Sequence, residues 1–483
     1  MKLKYTSKKS KNKQFALIFI SFFFTNLSSQ VLPTKSQVLD KMKLANSYFM
    51  KKWPDPTSVI VTDKTRPSNL WTRGTYYEGL MQLYYLTQDA KLLQYAVDWG
   101  TFHKWQPTYT GTVPTRIADN QCCGQTYLEL YQLDPKPERI ATMQASIDLM
   151  VNTTKVNDWW WIDAMQMAMP VFTKFGVIKN DNKYYEKMYD LYDYTKNKAK
   201  KVGLYNTSDH LWYRDSVYLP PKTSPNGLPV YWSRGNGWVI AGLTRTLDIM
   251  PAQAPHRDEY LTVFKEMMAK LITIQRLDGF WNVNLGDAND YGGKETSGTV
   301  FFTFGLAWGI NNGHLDTATY LSPALNAWNA LVNDALHSDG ALGYVQSAGS
   351  KPADGQPLSY SKMANFEDFG LGGFLLAGSE IYKLVEKLEK TNVAEVNTNK
   401  SIQAYPNPFN SKSGITFKSD KEIDELHVSD INGKNVYSAY ELNRNCILWN
   451  GKTNDGKDLP SGLYFLRSYD KTNNNNLILL KSE

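Results

Sequence analysis

Asp163 stands in WWWIDAMQMAMP, directly behind Trp159, Trp160 and Trp161. A carboxyl against aromatic walls loses solvation, which raises its pKa, and a carboxyl that keeps its proton near neutral pH is what a general acid requires. Asp119, in ADNQCCG, is a second carboxylate at the head of a small, apolar segment. Two carboxylates facing one pocket is the pattern of glycoside cleavage. A carboxylate at a helix start can equally cap the free amides there, so both readings stand for each Asp. Arg234 and Trp238 in WSRGNGW, with Trp232 at its head, suit a uronate subsite, because Arg grips a carboxylate with two hydrogen bonds and Trp stacks on a sugar ring. Gly235 and Gly237 between them also fit a tight turn. Trp71 and Arg73 in WTRG repeat the Trp and Arg pairing. Glu295, Thr296 and Ser297 in KETSG read as a helix start first and a ligand-binding loop second.

These residues need elements that bring them together from six distant places. From Lys35 to Lys390 apolar residues recur at helical spacing in segments such as KSQVLDKMKLANSYFMKKW and EYLTVFKEMMAKLITIQ, which predict amphipathic helices. Between them lies a second set, richer in apolar, small and aromatic residues, whose starts fall at Trp71, Asp119, Asp163, Trp232, Glu295 and Asp368. A helix that is apolar nearly all round must be buried, while its amphipathic partner faces water on one side. Six buried helices inside six amphipathic ones predict an all-α (α/α)6 barrel in which every inner helix starts at the same end. The polar helix starts then converge on one mouth, where free backbone amides favour anions.

The chain has 483 residues with 42% hydrophobic and 21% charged content, which fits a folded protein of two or three units. Its aromatic share of 13% is high, and flat rings suit sugar stacking as well as core filling. A net charge of +6 with scattered Lys and Arg argues against nucleic acid and is compatible with an anionic substrate. The three Cys and six His show no metal-ligand spacing and no HExxH, so no metal is expected. His210 and His314 read as surface or structural residues. No P-loop, GxGxxG after a strand or GxSxG occurs, which disfavours phosphoryl transfer, dinucleotide cofactors and serine hydrolase chemistry. Residues 1–30 read as a signal peptide: six Lys precede the apolar run Phe15–Phe24, which is about half of the ~20 residues a membrane span needs. No transmembrane anchor is expected after processing. Residues 31–390 form the helical domain and 391–400 a polar linker. Residues 401–483 carry short β-type runs between turn signals and predict a small all-β sandwich.

With ADNQCCG, WWWIDAMQMAMP, WSRGNGW and KETSGT in this order, the helical part resembles family 105 of the glycoside hydrolases, the unsaturated rhamnogalacturonyl hydrolases, relatives of the family 88 unsaturated glucuronyl hydrolases. The resemblance implies an (α/α)6 barrel that removes the 4,5-unsaturated uronic acid left by polysaccharide lyases at the non-reducing end of rhamnose-containing oligosaccharides, from rhamnogalacturonan or ulvan. It implies Asp163 as general acid/base, Asp119 as the second carboxylate and a substrate-binding segment at Arg234 and Trp238, with no cofactor. Asn120, Gln121 and the Cys pair depart from the family's usual continuation after the first Asp. An unsaturated glucuronyl hydrolase acting on other uronate polysaccharides, or a sugar-binding toroid without catalysis, are the alternative readings. YPNPF, DINGK, WNGKTNDGKDLPSGLYFL and LILLK resemble the C-terminal sorting domain of type IX secretion, which implies the type IX machinery as partner and a secreted or cell-surface enzyme.

Overall fold

The alternation of two kinds of helix seen in the sequence is the organising feature of the fold. The computed structural model describes residues 32–395 and 402–482, apart from 63, 109–112, 363–364, 432, 441, 443 and 470–473. The expected signal peptide over residues 1–30 lies outside the described residues. In chain order the helices are α1 (Lys35–Lys52), α2 (Trp71–Thr87), α3 (Ala90–Phe102), α4 (Ala118–Gln121), α5 (Gly124–Leu133), α6 (Ala141–Val151), α7 (Ala164–Lys179), α8 (Lys183–Asp193), α9 (Ser233–Ile249), α10 (Arg257–Thr273), α11 (Thr296–Asn311), α12 (Thr317–Ala330) and α13 (Asp368–Glu395). The last helix runs five residues past the expected domain edge at Lys390.

Local chemistry sets these starts. At α1 the Thr34 hydroxyl accepts from the Gln37 amide and the Gln37 side chain accepts from the Thr34 amide, a reciprocal capping box. Asp89 and Asp316 accept from amides at the heads of α3 and α12. In α11 every residue from Thr296 to Ile310 is buried, as a helix apolar on all sides must be. In α8 the buried residues Tyr184, Tyr185, Lys187, Met188, Leu191 and Tyr192 mark one side, and Lys183, Glu186 and Asp190 lie outside it. The inner set is α2, the broken helix α4–α5, α7, α9, α11 and α13. α2 packs on α13, α13 on α11, α11 on α9, α9 on α7, α7 on α4 and α5, and α5 on α2. Five outer helices, α3, α8, α10, α12 and α1, lie on α2, α7, α9, α11 and α13 respectively. The meeting of first and last inner helices depends on absent side chains: a Cβ on Gly79 would lie 2.4 Å from the Gly372 carbonyl oxygen.

Two short hairpins, β1 (Ile60–Val61) with β2 (Thr65–Arg66) and β3 (Tyr205–Asn206) with β4 (Leu211–Trp212), sit in connections between helices. The C-terminal region holds β5 (Ile402–Tyr405), β6 (Ile415–Ile423), β7 (Glu425–Asp430), β8 (Asn435–Ala439), β9 (Arg444–Trp449), β10 (Gly462–Tyr469) and β11 (Asn474–Lys481). They pair antiparallel in two sheets, β11-β10-β7-β8 and β5-β6-β9. Period-two alternation turns Ile415, Phe417 and Trp449 of one sheet and Leu426, Val428, Leu466 and Leu479 of the other into a common apolar core. No described helix is long and apolar enough to cross a membrane.

Candidate active site

Asp163 is the residue immediately before α7, and its side chain makes no hydrogen bond to the helix amides. Asp119 lies in the first turn of α4 and likewise caps nothing. The contrast with Glu295 is direct. Its carboxylate accepts from the Ser297 and Gly298 amides at 2.7 and 2.6 Å, so KETSG is a helix start, the first of its two readings. The capping explanation thus fails for Asp163 and Asp119 and holds for Glu295.

What Asp163 does contact is Arg214. The Nε and Nη2 groups of Arg214 donate to Asp163 Oδ2 at 3.3 and 3.0 Å, and its Nη1 donates to Asp215 Oδ2 at 2.7 Å. Asp163 Oδ1 is buried without a hydrogen-bond partner. Backbone pairing fixes this arrangement: the Ile162 amide donates to the Arg214 carbonyl at 3.0 Å and Trp161 bridges Asp215, so the residues before α7 run beside those leaving β4. The hairpin is held in turn by Asn236 on α9, whose amide accepts from the Trp212 N–H at 2.9 Å and donates to its carbonyl at 3.0 Å.

Burial raises the Asp163 carboxyl above the ordinary carboxylate range while the Arg214 guanidinium pulls the other way. Asp119 is raised to about 7, first by burial and then by the charge on Asp163, with Arg214 opposing. Both carboxylates and Arg214 therefore share one electrostatic neighbourhood at adjacent inner-helix starts. Of the three Trp before Asp163, Trp159 and Trp161 are buried, and Trp160 is 55% exposed with its ring 5.9 Å from Arg214 Cζ.

The remaining expected residues fall into two groups. Arg234 is fully buried: its Nη1 and Nη2 groups donate to the carbonyls of Gln346 and Ser347 at 2.7 and 2.8 Å, and the guanidinium lies over Trp232 and Phe369. Trp232 and Trp238 are buried too, with Trp232 Nε1 donating to Gln346 Oε1 at 2.8 Å. Trp71 keeps a partly exposed side chain and stacks on Phe369 with centroids 5.4 Å apart. Phe369, at the start of α13, also touches Trp238, so the heads of α2, α9 and α13 meet here. Arg73 is buried on Asp368 at 3.1 Å. The sequence reading missed Arg214. Its signal was an Arg–Asp pair directly after the β-type run LWY, inside a stretch that otherwise reads as connection. Among the described residues no three His, Cys, Asp or Glu side chains gather as metal ligands.

Comparisons with known proteins identify the family. Residues 41–385 match Glycosyl Hydrolase Family 88, and residues 403–479 match a secretion system C-terminal sorting domain. An unsaturated 3S-rhamnoglycuronyl hydrolase of Formosa agariphila is 34% identical over 336 residues, covering 65% of this chain and 85% of the relative. A protein of the same name from an Alteromonas species is 28% identical, covering 66% of this chain and 78% of its own length. The solved structure of a family 88 glycosyl hydrolase from Bacteroides vulgatus is similar at a TM-score of 0.66 and 33% identity, over 73% of this chain and all of that one. The chain belongs to glycosyl hydrolase family 88 and is a glycoside hydrolase. Its C-terminal domain is a type IX sorting signal, which sends the enzyme to the cell surface or the extracellular space.

Proposed function

We propose that the enzyme hydrolyses the 4,5-unsaturated uronate from the non-reducing end of lyase-generated, rhamnose-containing oligosaccharides, and that Asp163 is its acid. The observation that carries this is the pair of uncapped carboxylates, Asp163 and Asp119, at neighbouring inner-helix starts beside one guanidinium. The helix-to-helix packing that runs from α2 round to α5 and back supports a closed (α/α)6 barrel with these starts at its mouth. The 3S in the names of the two hydrolase relatives denotes a sulfated rhamnose, which favours sulfated ulvan fragments over rhamnogalacturonan. An anionic oligosaccharide also suits the net charge of +6. The N-terminal signal peptide supplies passage across the inner membrane before the sorting domain acts.

The substrate is a vinyl ether, so the acid adds its proton to carbon 4 and positive charge develops at carbon 5 and the ring oxygen. Water then adds at carbon 5, Asp163 takes a proton back, and the hemiketal opens with release of the neighbouring sugar. One carboxyl serves both steps, which leaves Asp119 to hold the sugar or set the charge of Asp163. Trp71 offers a partly exposed ring for stacking. Arg234 and Trp232 act behind that surface by fixing Gln346 and Ser347, and Trp238 by backing Trp71 and Phe369. The test is loss of the unsaturated-uronate absorbance on lyase digests of ulvan and rhamnogalacturonan, for wild type and Asp163→Asn. Decay with wild type and at least a 1000-fold slower decay with the variant, on the order of a lost general acid/base, is expected, faster on ulvan. No decay on either digest would refute the assignment.

A further inference from the structure

An acid held in an ion pair is a carboxylate, and a carboxylate has no proton to give. Asp163 is in that condition here, because two N–H groups of Arg214 end on its Oδ2. The groups that face it are Arg214 and Asp215 from the segment after β4, Asp119 from α4 and Arg234 from α9. Arg234 is committed to the Gln346 and Ser347 carbonyls. Arg214 differs: its side chain is 13% exposed, among the described residues it is anchored by the two carboxylates Asp163 and Asp215, and the exposed ring of Trp160 lies 5.9 Å from its Cζ. A guanidinium bound that way can exchange one carboxylate for another without losing its charge or its fork geometry.

We propose that the uronate carboxylate of the substrate draws Arg214 off Asp163, and that Asp163 takes up the proton it delivers only when this has happened. The inference rests on the uronate reading above and deepens it by assigning the carboxylate-binding group and the event that arms the acid. Burial is what makes the exchange productive. Asp163 Oδ1 already lies buried without a partner, and removing Arg214 leaves the whole carboxylate desolvated, so neutralisation by a proton becomes the favoured outcome. The balance is simple. Arg214 stays protonated throughout and moves from one carboxylate to another. Asp163 gains one proton from solvent on binding, and that proton forms the bond to carbon 4 as the double-bond electron pair closes on it. Water adds at carbon 5 and returns a proton to Asp163. Substrate without a carboxylate would leave the ion pair intact and the acid unarmed.

Calorimetry with the saturated disaccharide glucuronosyl-rhamnose, which carries the carboxylate but no double bond, tests this apart from turnover. Titrations near pH 7 in two buffers of different ionisation heat report the protons taken up on binding. Wild type is expected to take up close to one proton. Asp119→Asn, which removes the other titrating carboxyl, is expected to retain the uptake whatever its affinity; loss of the uptake there would assign the proton to Asp119 and overturn the proposal. Arg214→Gln is expected to bind about 10-fold or more weaker, the size of one lost charge-assisted contact, and to take up none, because its Asp163 is already protonated. Arg214→Lys, which keeps the charge, is expected to restore most of the uptake if folding is intact. Absence of binding by wild type, binding without uptake, or undiminished uptake in Arg214→Gln would each overturn the proposal. Failure of the uronate reading shows separately, as absence of decay on both lyase digests.

Discussion

Replacing Arg234 by Met separates two roles that its motif allows. A uronate grip predicts loss of affinity with an intact fold, whereas the structure has the guanidinium spent on the Gln346 and Ser347 carbonyls at 2.7 and 2.8 Å. Hydrogen bonds from a charged donor contribute roughly 1.5–3 kcal/mol each, so the two together stabilise by about 3–6 kcal/mol. Against this stands the cost of burying the charge. Arg234 is lowered to about 10 from 12.5, mainly by burial, and at ~1.4 kcal/mol per pKa unit this offsets about 3 kcal/mol. The Met variant regains that cost and leaves two carbonyls in a buried loop without donors, each a penalty of about 1–3 kcal/mol. The net expectation is destabilisation by about 2–9 kcal/mol, or a Tm lower by ~4–18 °C at ~2 °C per kcal/mol for a unit of this size. Thermal unfolding followed by circular dichroism, with KM measured well below the transition, reads both quantities. An unchanged Tm together with a tenfold higher KM would refute the structural reading and return Arg234 to the substrate.

Two further perturbations test the site and its scaffold. Asp119 is raised to about 7 in the folded protein against about 3.9 unfolded, so between these values the native state holds the proton that the unfolded chain has lost. Stability should therefore fall as pH rises from about 4 to 7, by up to about 4 kcal/mol before solvent screening of this half-buried group. Asp119→Asn should remove that slope and raise Tm at pH 8 relative to wild type; a parallel pH dependence in the two proteins would count against the buried, charge-opposed setting of Asp119. Gly79→Ala puts a methyl 2.4 Å from the Gly372 carbonyl oxygen, which should cost about 1–3 kcal/mol as α2 and α13 separate. Denaturant unfolding with no change in midpoint would show that the contact between first and last inner helices is looser than described.

The alternation of helices was legible because burial writes itself into composition. α11 is apolar and small throughout, α8 carries its apolar residues on one side, and no third pattern intervenes. The starts at Trp71, Asp163, Trp232, Glu295 and Asp368 fall within a residue of the observed helix ends for the same reason. The break of the second inner helix at Cys122 and Cys123 was not legible, since neither residue is a helix breaker. The site was only half legible. Asp163 and Asp119 are visible as acids among aromatics or small residues, but side-chain direction is not a sequence property. WSRGNGW looks like a binding motif and serves largely as a set of clamps: Arg234 on Gln346 and Ser347, Trp232 on Gln346, Asn236 on Trp212. The Arg–Asp pair after LWY was too weak a signal to single out Arg214, because its importance comes from backbone pairing between residues 161–162 and 214–215, far apart in the chain.

A charge count at the mouth shows why a site of this kind responds to an anion. Asp163 and Asp215 share the single guanidinium of Arg214, Arg234 adds a second positive charge behind them, and Asp119 carries a proton below about pH 7. Arg234 also faces Glu295, so the unliganded cluster carries no excess positive charge to spend on a ligand. An arriving uronate carboxylate adds a negative charge in surroundings where an uncompensated charge is costly. Of the carboxylates at inner-helix starts, Glu295 is held by amides and Asp368 by Arg73, so neither is free to respond. Asp163 can respond, because its only charged hydrogen-bond partner among the described residues is the group the newcomer would take. Proton uptake at Asp163 restores neutrality at the atom from which the chemistry needs a proton, so binding the substrate's charge and charging the acid become one event.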